Sequence, residues 1–239
     1  MARRIQQASL PKEVPTLEGW QITPYYQPAR EVGGDFYDFH ILSEGRLGLV
    51  VGDATGKGVP AALVMSTTCG MLQAVSQALD SSSPGEVLER VNETLVARIP
   101  PNMFVTCFYG VLDPKSGSFT YANAGHDLPH VRHGDGDAEE LRARGMPLGL
   151  MPSMTYEEKE IVLGAGEAAL FYSDGLVEAH DPKGEMFGFP RLRALIAEHG
   201  EESSLGDFLL EEVYFFVGER WEQEDDITLL TLRRSLSPS

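Results

Sequence analysis

The chain has 239 residues, 42% of them hydrophobic, and sets 36 Asp and Glu against 19 Lys and Arg, a formal net charge of −17 at pH 7. That length buries one sizeable core in one or at most two domains, and the acidic balance argues against nucleic-acid backbones and anionic membranes as partners. No apolar run reaches the ~20 residues of a membrane-spanning helix, and the start, Met1-Ala2-Arg3-Arg4-Ile5-Gln6-Gln7, lacks the apolar block of a secretory signal.

Residues 1–18 are polar and broken by Pro11 and Pro15, and read as a short helical or linker lead-in, of the kind that connects to an upstream domain. Residues 19–30 read as a strand that Pro24 and Pro28 place near a sheet edge. Phe36, Tyr37, Phe39, Ile41 and Leu42 make a second strand, residues 43–46 a hairpin turn, and residues 47–51 its partner. That partner ends at Gly52-Asp53, and a loop of small residues follows, Ala54-Thr55-Gly56-Lys57-Gly58. Lys57 is followed by Gly58, not Ser or Thr, so this is no nucleotide-binding P-loop.

Residues 60–78 form a helix opened by Pro60, with apolar residues at near-helical spacing. Ser81-Ser82-Ser83-Pro84 breaks it, and Ser83, Pro84 and Glu86 stand in capping-box order for a second helix. Strands follow over 103–111, 118–123, 128–133, 156–163 and 168–173, with residues 146–150 compact and irregular. The Gly134-Asp135-Gly136-Asp137 tip lacks the remaining ligand positions of a calcium loop and reads as a turn. Amphipathic helices over 190–199 and 205–217 precede a last strand over 227–232 and a tail. Strand and helix do not alternate strictly, so two antiparallel sheets flanked by helix pairs fit better than a doubly wound parallel sheet. Cys69 and Cys107 fall in apolar segments and read as buried free thiols in a reducing compartment.

Asp53 sits where a strand ends and a glycine-rich loop turns away. Three other segments place aspartates beside glycine or at strand ends: Gly33-Gly34-Asp35-Phe36-Tyr37-Asp38, Ser173-Asp174-Gly175, and Glu224-Asp225-Asp226-Ile227. Strand-end carboxylates gathered from distant parts of a chain point to one shared site for a hard divalent cation, Mg²⁺ or Mn²⁺. A plain strand-to-helix turn and a merely acidic surface are the simpler readings of each segment taken alone.

The segments GGDFYD, GDATGKGVPAAL, NAGH, MPLGL, SDGLVEA and EDDITLL occur here in that order. Together they resemble the PPM-type metal-dependent serine/threonine phosphatases, and more narrowly their bacterial RsbU/SpoIIE branch, over roughly residues 20–233. The resemblance implies an α+β fold, an αββα sandwich, with residues 1–18 as lead-in, 19–234 as the phosphatase domain and 235–239 as tail. It implies two Mn²⁺ or Mg²⁺ ions. Asp53 would bridge them, the Ala54 carbonyl would complete one shell, Asp174 and Asp225 would hold one ion, and Asp35 would help hold the other. Asp226 matches a position that is often Asn and ranks below Asp225. Asp38 joins an extra metal site or simply caps its strand.

By the same resemblance a water activated between the two ions attacks phosphoserine or phosphothreonine, in a cytoplasmic partner-switching pathway of sigma-factor regulation and stress response. The substrate would be an anti-sigma factor antagonist of the STAS type, and an upstream sensor domain or activator would control the helix pair of residues 60–98. The chain departs from the eukaryotic pattern at Thr55, which stands where those members carry a histidine thought to protonate the leaving group. That leaves the general acid open among metal-bound water, Lys57 and His126, and His126 reads rather as a structural histidine of the 123–127 loop. Arg30, five residues before Asp35, matches the spacing of a phosphate-binding arginine, or is an exposed arginine on an edge strand. A non-catalytic binding module of the same fold is the alternative function. A hydrolase of small phosphorylated molecules is another.

Overall fold

The computed structural model describes residue 6 and residues 9–80, 83–200, 204–218 and 222–236. Ser81 and Ser82 of the expected helix break, most of the first eight residues and the last three of the tail lie outside the described residues. In chain order the elements are β1 (Trp20–Gln27), β2 (Asp35–Ile41), β3 (Leu47–Ala54), α1 (Val59–Leu79), α2 (Pro84–Val96), β4 (Val105–Leu112), β5 (Ser118–Ala124), β6 (His130–Arg132), β7 (Ala138–Glu140), β8 (Glu158–Val162), β9 (Ala168–Tyr172), α3 (Asp174–Val177), α4 (Gly188–Glu198), α5 (Leu205–Val217) and β10 (Ile227–Arg234).

The strands form two five-stranded sheets, ordered β1-β10-β9-β6-β7 and β2-β3-β4-β5-β8. Every named pairing is antiparallel. Strand alternation sends one set of side chains between the sheets and the other outward. Leu49, Val51, Phe108, Phe119, Phe171, Leu230 and Leu232 fill the space between. The outer face of the β2–β8 sheet packs on α1 and α2 through Val50, Met65, Leu72, Leu88 and Leu95. The outer face of the β1–β7 sheet packs on α4 and α5 through Leu170, Tyr172, Leu192, Leu209 and Leu229. This is the expected αββα sandwich, with β1 and its Pro24 on an edge.

The helix starts follow local chemistry. Pro60 sits in the first turn of α1, and Ser83 caps α2 by accepting from the Glu86 N–H at 3.2 Å. Helix α1 has 21 residues and is long and apolar enough, by length and composition alone, to cross a membrane. This corrects the expectation that no such run exists. Its small and polar residues break up the apolar stretch, and its Ala61, Met65, Cys69 and Leu72 face is buried on the sheet. Both cysteines are buried free thiols. Strand β7 and helix α3 were not expected; at three and four residues they are too short to show a period.

Candidate active site

Register brings the first two aspartates together. Asp35 is the first residue of β2 and pairs directly with Asp53 near the end of β3. Cross-strand partners point to the same face, so both carboxyls emerge on one side. Glycine makes the crowding possible. A Cβ on Gly34 would stand 2.6 Å from Asp53 Oδ1 and closer still to the Ala54 carbonyl oxygen, while one on Gly33 would collide with the Asp226 carboxylate.

The other sheet supplies the remaining acids. Strand β9 ends at Tyr172, and Asp174 opens α3 just beyond it. Strand β10 begins at Ile227, immediately after Asp225-Asp226. Burial, and then the charges of Asp174, Asp225 and Asp226, push the Asp53 carboxyl up to about 7. Burial, then Glu178 and Asp225, push Asp174 up to about 6. Burial and the neighbouring Asp53 charge hold Asp35 well above the ordinary carboxylate range, although the Thr228 hydroxyl donates to its Oδ2 at 2.7 Å. Asp35, Asp53, Asp174 and Asp225 thus share one electrostatic site drawn from both sheets.

The donors are carboxylates and one backbone carbonyl crowded against Gly34, the hard-oxygen set that Mg²⁺ and Mn²⁺ take. Among the described residues no three His, Cys, Asp or Glu side chains close into a finished metal-sized cage. One of the carboxylates is held by a lysine: Lys57 Nζ lies 2.8 Å from Asp225 Oδ2 and donates to the Glu224 carbonyl at 2.8 Å. The bond to the Asp225 carboxylate raises the Lys57 pKa. Lys57, Glu178, Glu224 and Asp225 border a pocket of about 80 Å³ at this mouth.

Asp226 is oriented differently. Its Oδ1 accepts from Ala29 N–H and its Oδ2 from Gly34 N–H, both at 2.8 Å. Both oxygens are therefore engaged by the loop between β1 and β2. The same loop is gripped from its other side by Gln6, whose Nε2 donates to the Gly33 carbonyl at 2.6 Å and whose Oε1 accepts from Gly33 N–H at 3.1 Å. Two side chains from opposite ends of the chain fix the turn that delivers Asp35.

The remaining expected residues separate. Thr55 Oγ1 is tied to the Phe104 backbone, accepting from its N–H at 2.7 Å and donating to its carbonyl at 2.5 Å. His126 is held by Asn123, which accepts its backbone N–H at 2.7 Å and donates to its carbonyl at 2.9 Å. Its Nδ1 meets Thr106 Oγ1 at 3.0 Å, and burial lowers its pKa to about 4. Arg30 is exposed at the rim, near enough to Lys57 for its charge to be felt there. Asp38 belongs to another network: its Oδ2 lies 3.2 Å from His40 Nε2, and His40 Nδ1 lies 2.8 Å from Ser76 Oγ of α1.

Asp127 and Glu178 were not singled out from the sequence. Burial, then Asp174 and Glu178, push Asp127 up to about 6, so both belong to the acidic site. Two cues could have found them. Asp127 follows NAGH directly, and Glu178 lies one helical turn beyond Asp174.

Comparison with known proteins bears on the family and the fold. The family model of Stage II sporulation protein E (SpoIIE) matches residues 43–235. The chain is 30% identical to phosphoserine phosphatase RsbU of Bacillus subtilis, over 99% of this chain and 70% of that protein. It is 31% identical to protein IcfG of Synechocystis over 98% of its own length, but spans only 41% of IcfG. Among solved structures, the RsbU and RsbW domains of Rv1364c from Mycobacterium tuberculosis match with TM-score 0.79 and 32% identity, over 94% of this chain and 64% of that one. The SiaA-PP2C domain of Pseudomonas aeruginosa matches with TM-score 0.82 over 97% of this chain and 93% of that one; at 23% identity it supports the fold. The chain therefore belongs to the SpoIIE family and contains a PPM-type phosphatase domain of the RsbU/SpoIIE kind.

Proposed function

We propose that this chain hydrolyses phosphoserine or phosphothreonine on a signalling protein, and that it needs Mn²⁺ or Mg²⁺ to do so. The observation that carries the reading is the convergence of Asp35, Asp53, Asp174 and Asp225, from both sheets, on one partly buried and mutually repelling acidic site. Asp53, Asp174 and Asp225 are the side chains that would hold two cations, with the Ala54 carbonyl and Asp35 completing the set. Bound there, two such ions would lower the pKa of a water and offset charge building up on a transferring phosphoryl group.

The chain's own groups have distinct tasks. Thr228 orients Asp35 by donating to its Oδ2. Gly34 leaves space for Asp53 and Ala54 to approach. Lys57 and Arg30 carry the positive charges at the rim, where a phosphate ester would be attracted. His126 is buried and neutral at pH 7, and Thr55 is tied to Phe104, so neither is placed to protonate a leaving group. Lys57 carries a proton but holds it tightly, which suits it to bind a phosphate oxygen rather than to act as an acid. For the substrate we favour an anti-sigma factor antagonist of the STAS type, because the RsbU relative is named a phosphoserine phosphatase and the Mycobacterium protein joins RsbU and RsbW domains in one chain. A cytoplasmic partner-switching pathway is the matching setting.

Hydrolysis of a phosphoserine peptide with Mn²⁺, with Mg²⁺ and with EDTA tests the reading. Turnover should require metal and fall at least ~100-fold in Asp53→Asn and in Asp174→Asn, on the scale of losing an electrostatic catalytic group. Undiminished turnover in either folded variant would overturn it. A wild-type chain silent with every metal would point instead to a phosphoprotein-binding module.

A further inference from the structure

On the outer face of the β1–β7 sheet, bordered by His199 and Gly200 after α4 and Ser204 before α5, lies a cavity of about 200 Å³. Its floor is one row of residues across three strands. Arg132 of β6 pairs with Ala168 of β9, and Ala168 pairs with Arg233 of β10. Paired residues share a face, so the two arginines flank a single methyl group, with Cα atoms about 10 Å apart across two strand spacings. Thr23 and Thr231, the next residues on that face of β1 and β10, extend the floor. His199 and Ser204, at the end of α4 and the start of α5, form the wall.

We propose that this cavity binds a small phosphate-like dianion, at a second site separate from the acidic one and independent of the catalytic reading. Two guanidiniums facing one pocket are an unusual investment in a chain of net charge −17. The arginine ion pairs among the described residues are made by Arg46, Arg90, Arg142 and Arg191, so neither Arg132 nor Arg233 is neutralised by a described carboxylate. Arg132 Nε is buried and has no hydrogen-bond partner among the described residues. A buried donor without an acceptor is costly, and an oxyanion would satisfy it. Planar guanidinium forks match phosphate oxygens in pairs.

The wall adds to this. Ser204 is the residue before the first turn of the 13-residue helix α5, and its side chain makes no capping bond. Its Oγ is buried and without a partner among the described residues. The free amides of that helix turn and the serine hydroxyl are the donors an anion takes at a helix start. Glu201 and Glu202 of the same connection lie outside the described residues. The cavity is also remote from the acidic site. Ala168 and Asp174 are separated by six residues along and just beyond β9, about 20 Å at strand rise.

The test is calorimetric titration of inorganic phosphate into the full chain in EDTA, repeated by ³¹P line broadening and with chloride at matched ionic strength. Wild type and Asp53→Asn should show the same saturable binding at one site. Arg132→Gln and Arg233→Gln, each verified as folded by circular dichroism, should weaken it at least 10-fold, and Arg132→Lys should restore part of the loss. The proposal is overturned if wild type shows no saturable phosphate binding, if chloride reproduces the signal, or if binding persists in both arginine variants. It is also overturned if binding disappears in Asp53→Asn, which would place the phosphate in the acidic site. Because every arm is run without metal or turnover, its failure leaves the phosphatase reading untouched, and the reverse holds too.

Discussion

Asp53 is held in the folded chain under conditions that disfavour its charge. An ordinary aspartyl carboxyl titrates near ~3.9, whereas burial and three neighbouring carboxylates bring this one to about 7. Folding without cations therefore takes up a proton between those values. The stability associated with that proton is fully present below about pH 4 and is lost as pH rises through about 7. Asp174 and Asp127, each pushed up to about 6, add the same sign. In EDTA the melting temperature should fall between pH 5 and pH 8. Asp53→Asn, which keeps the shape and removes the charge, should flatten that fall and raise stability at pH 8, by up to roughly 2–4 kcal/mol on the scale of the shift. A lower melting temperature for this variant at pH 8 in EDTA would contradict the clustered-charge account. At this scale the sequence was partly legible. Asp35, Asp53, Asp174 and Asp225 announce themselves by standing at strand ends, but the backbone grip of Asp226 does not, because it depends on which amides the β1–β2 turn presents.

That turn shows what single elements contribute. Asp226 from the approach to β10 and Gln6 from the lead-in hold its two sides, so the position of Asp35 depends on segments more than 190 and nearly 30 residues away. Asp226→Ala would leave the Ala29 and Gly34 N–H groups without acceptors and should cost about 2–3 kcal/mol. Gln6→Ala, which leaves the sheet intact, should cost about 1–2 kcal/mol. Both should speed amide exchange at Gly33 and Gly34 while leaving β4 and β5 protected. Unchanged exchange there in Gln6→Ala would show that the lead-in does not brace the site. The elements that were legible are those with strong local signals, the Ser83-Pro84 start of α2 and the Pro24-bearing edge strand; the expected end of β3 at Val51 was too early, because Gly52, Asp53 and Ala54 stay paired in the ladder. Strand β7 was invisible because its three residues gain their order only by pairing with β6. Helix α1 misled on composition, since residues such as Ser66, Thr67 and Gln73 interrupt its apolar run while its mean hydropathy stays that of a membrane-length apolar helix.

For the whole molecule, the layering followed from element order, because helix pairs separated by runs of strands leave two sheets with two faces to cover. The order of strands within each sheet did not follow: β10 sits between β1 and β9, a placement set by packing across more than 190 residues. That placement is what brings Asp225 to Asp53. The motifs in their order carried the family, yet the two arginines facing the outer cavity lie in segments that no motif marks. The central claim is that the meeting of the two sheets builds a site for two cations. Calorimetric titration of Mn²⁺ into the wild-type chain and into Asp53→Asn near pH 7.5 tests it most directly. Two equivalents taken up by wild type, with proton release as the raised carboxyls ionise, and none by the folded variant is the result predicted here. Wild-type affinity in Asp53→Asn, or no Mn²⁺ uptake by the wild-type chain, would contradict it.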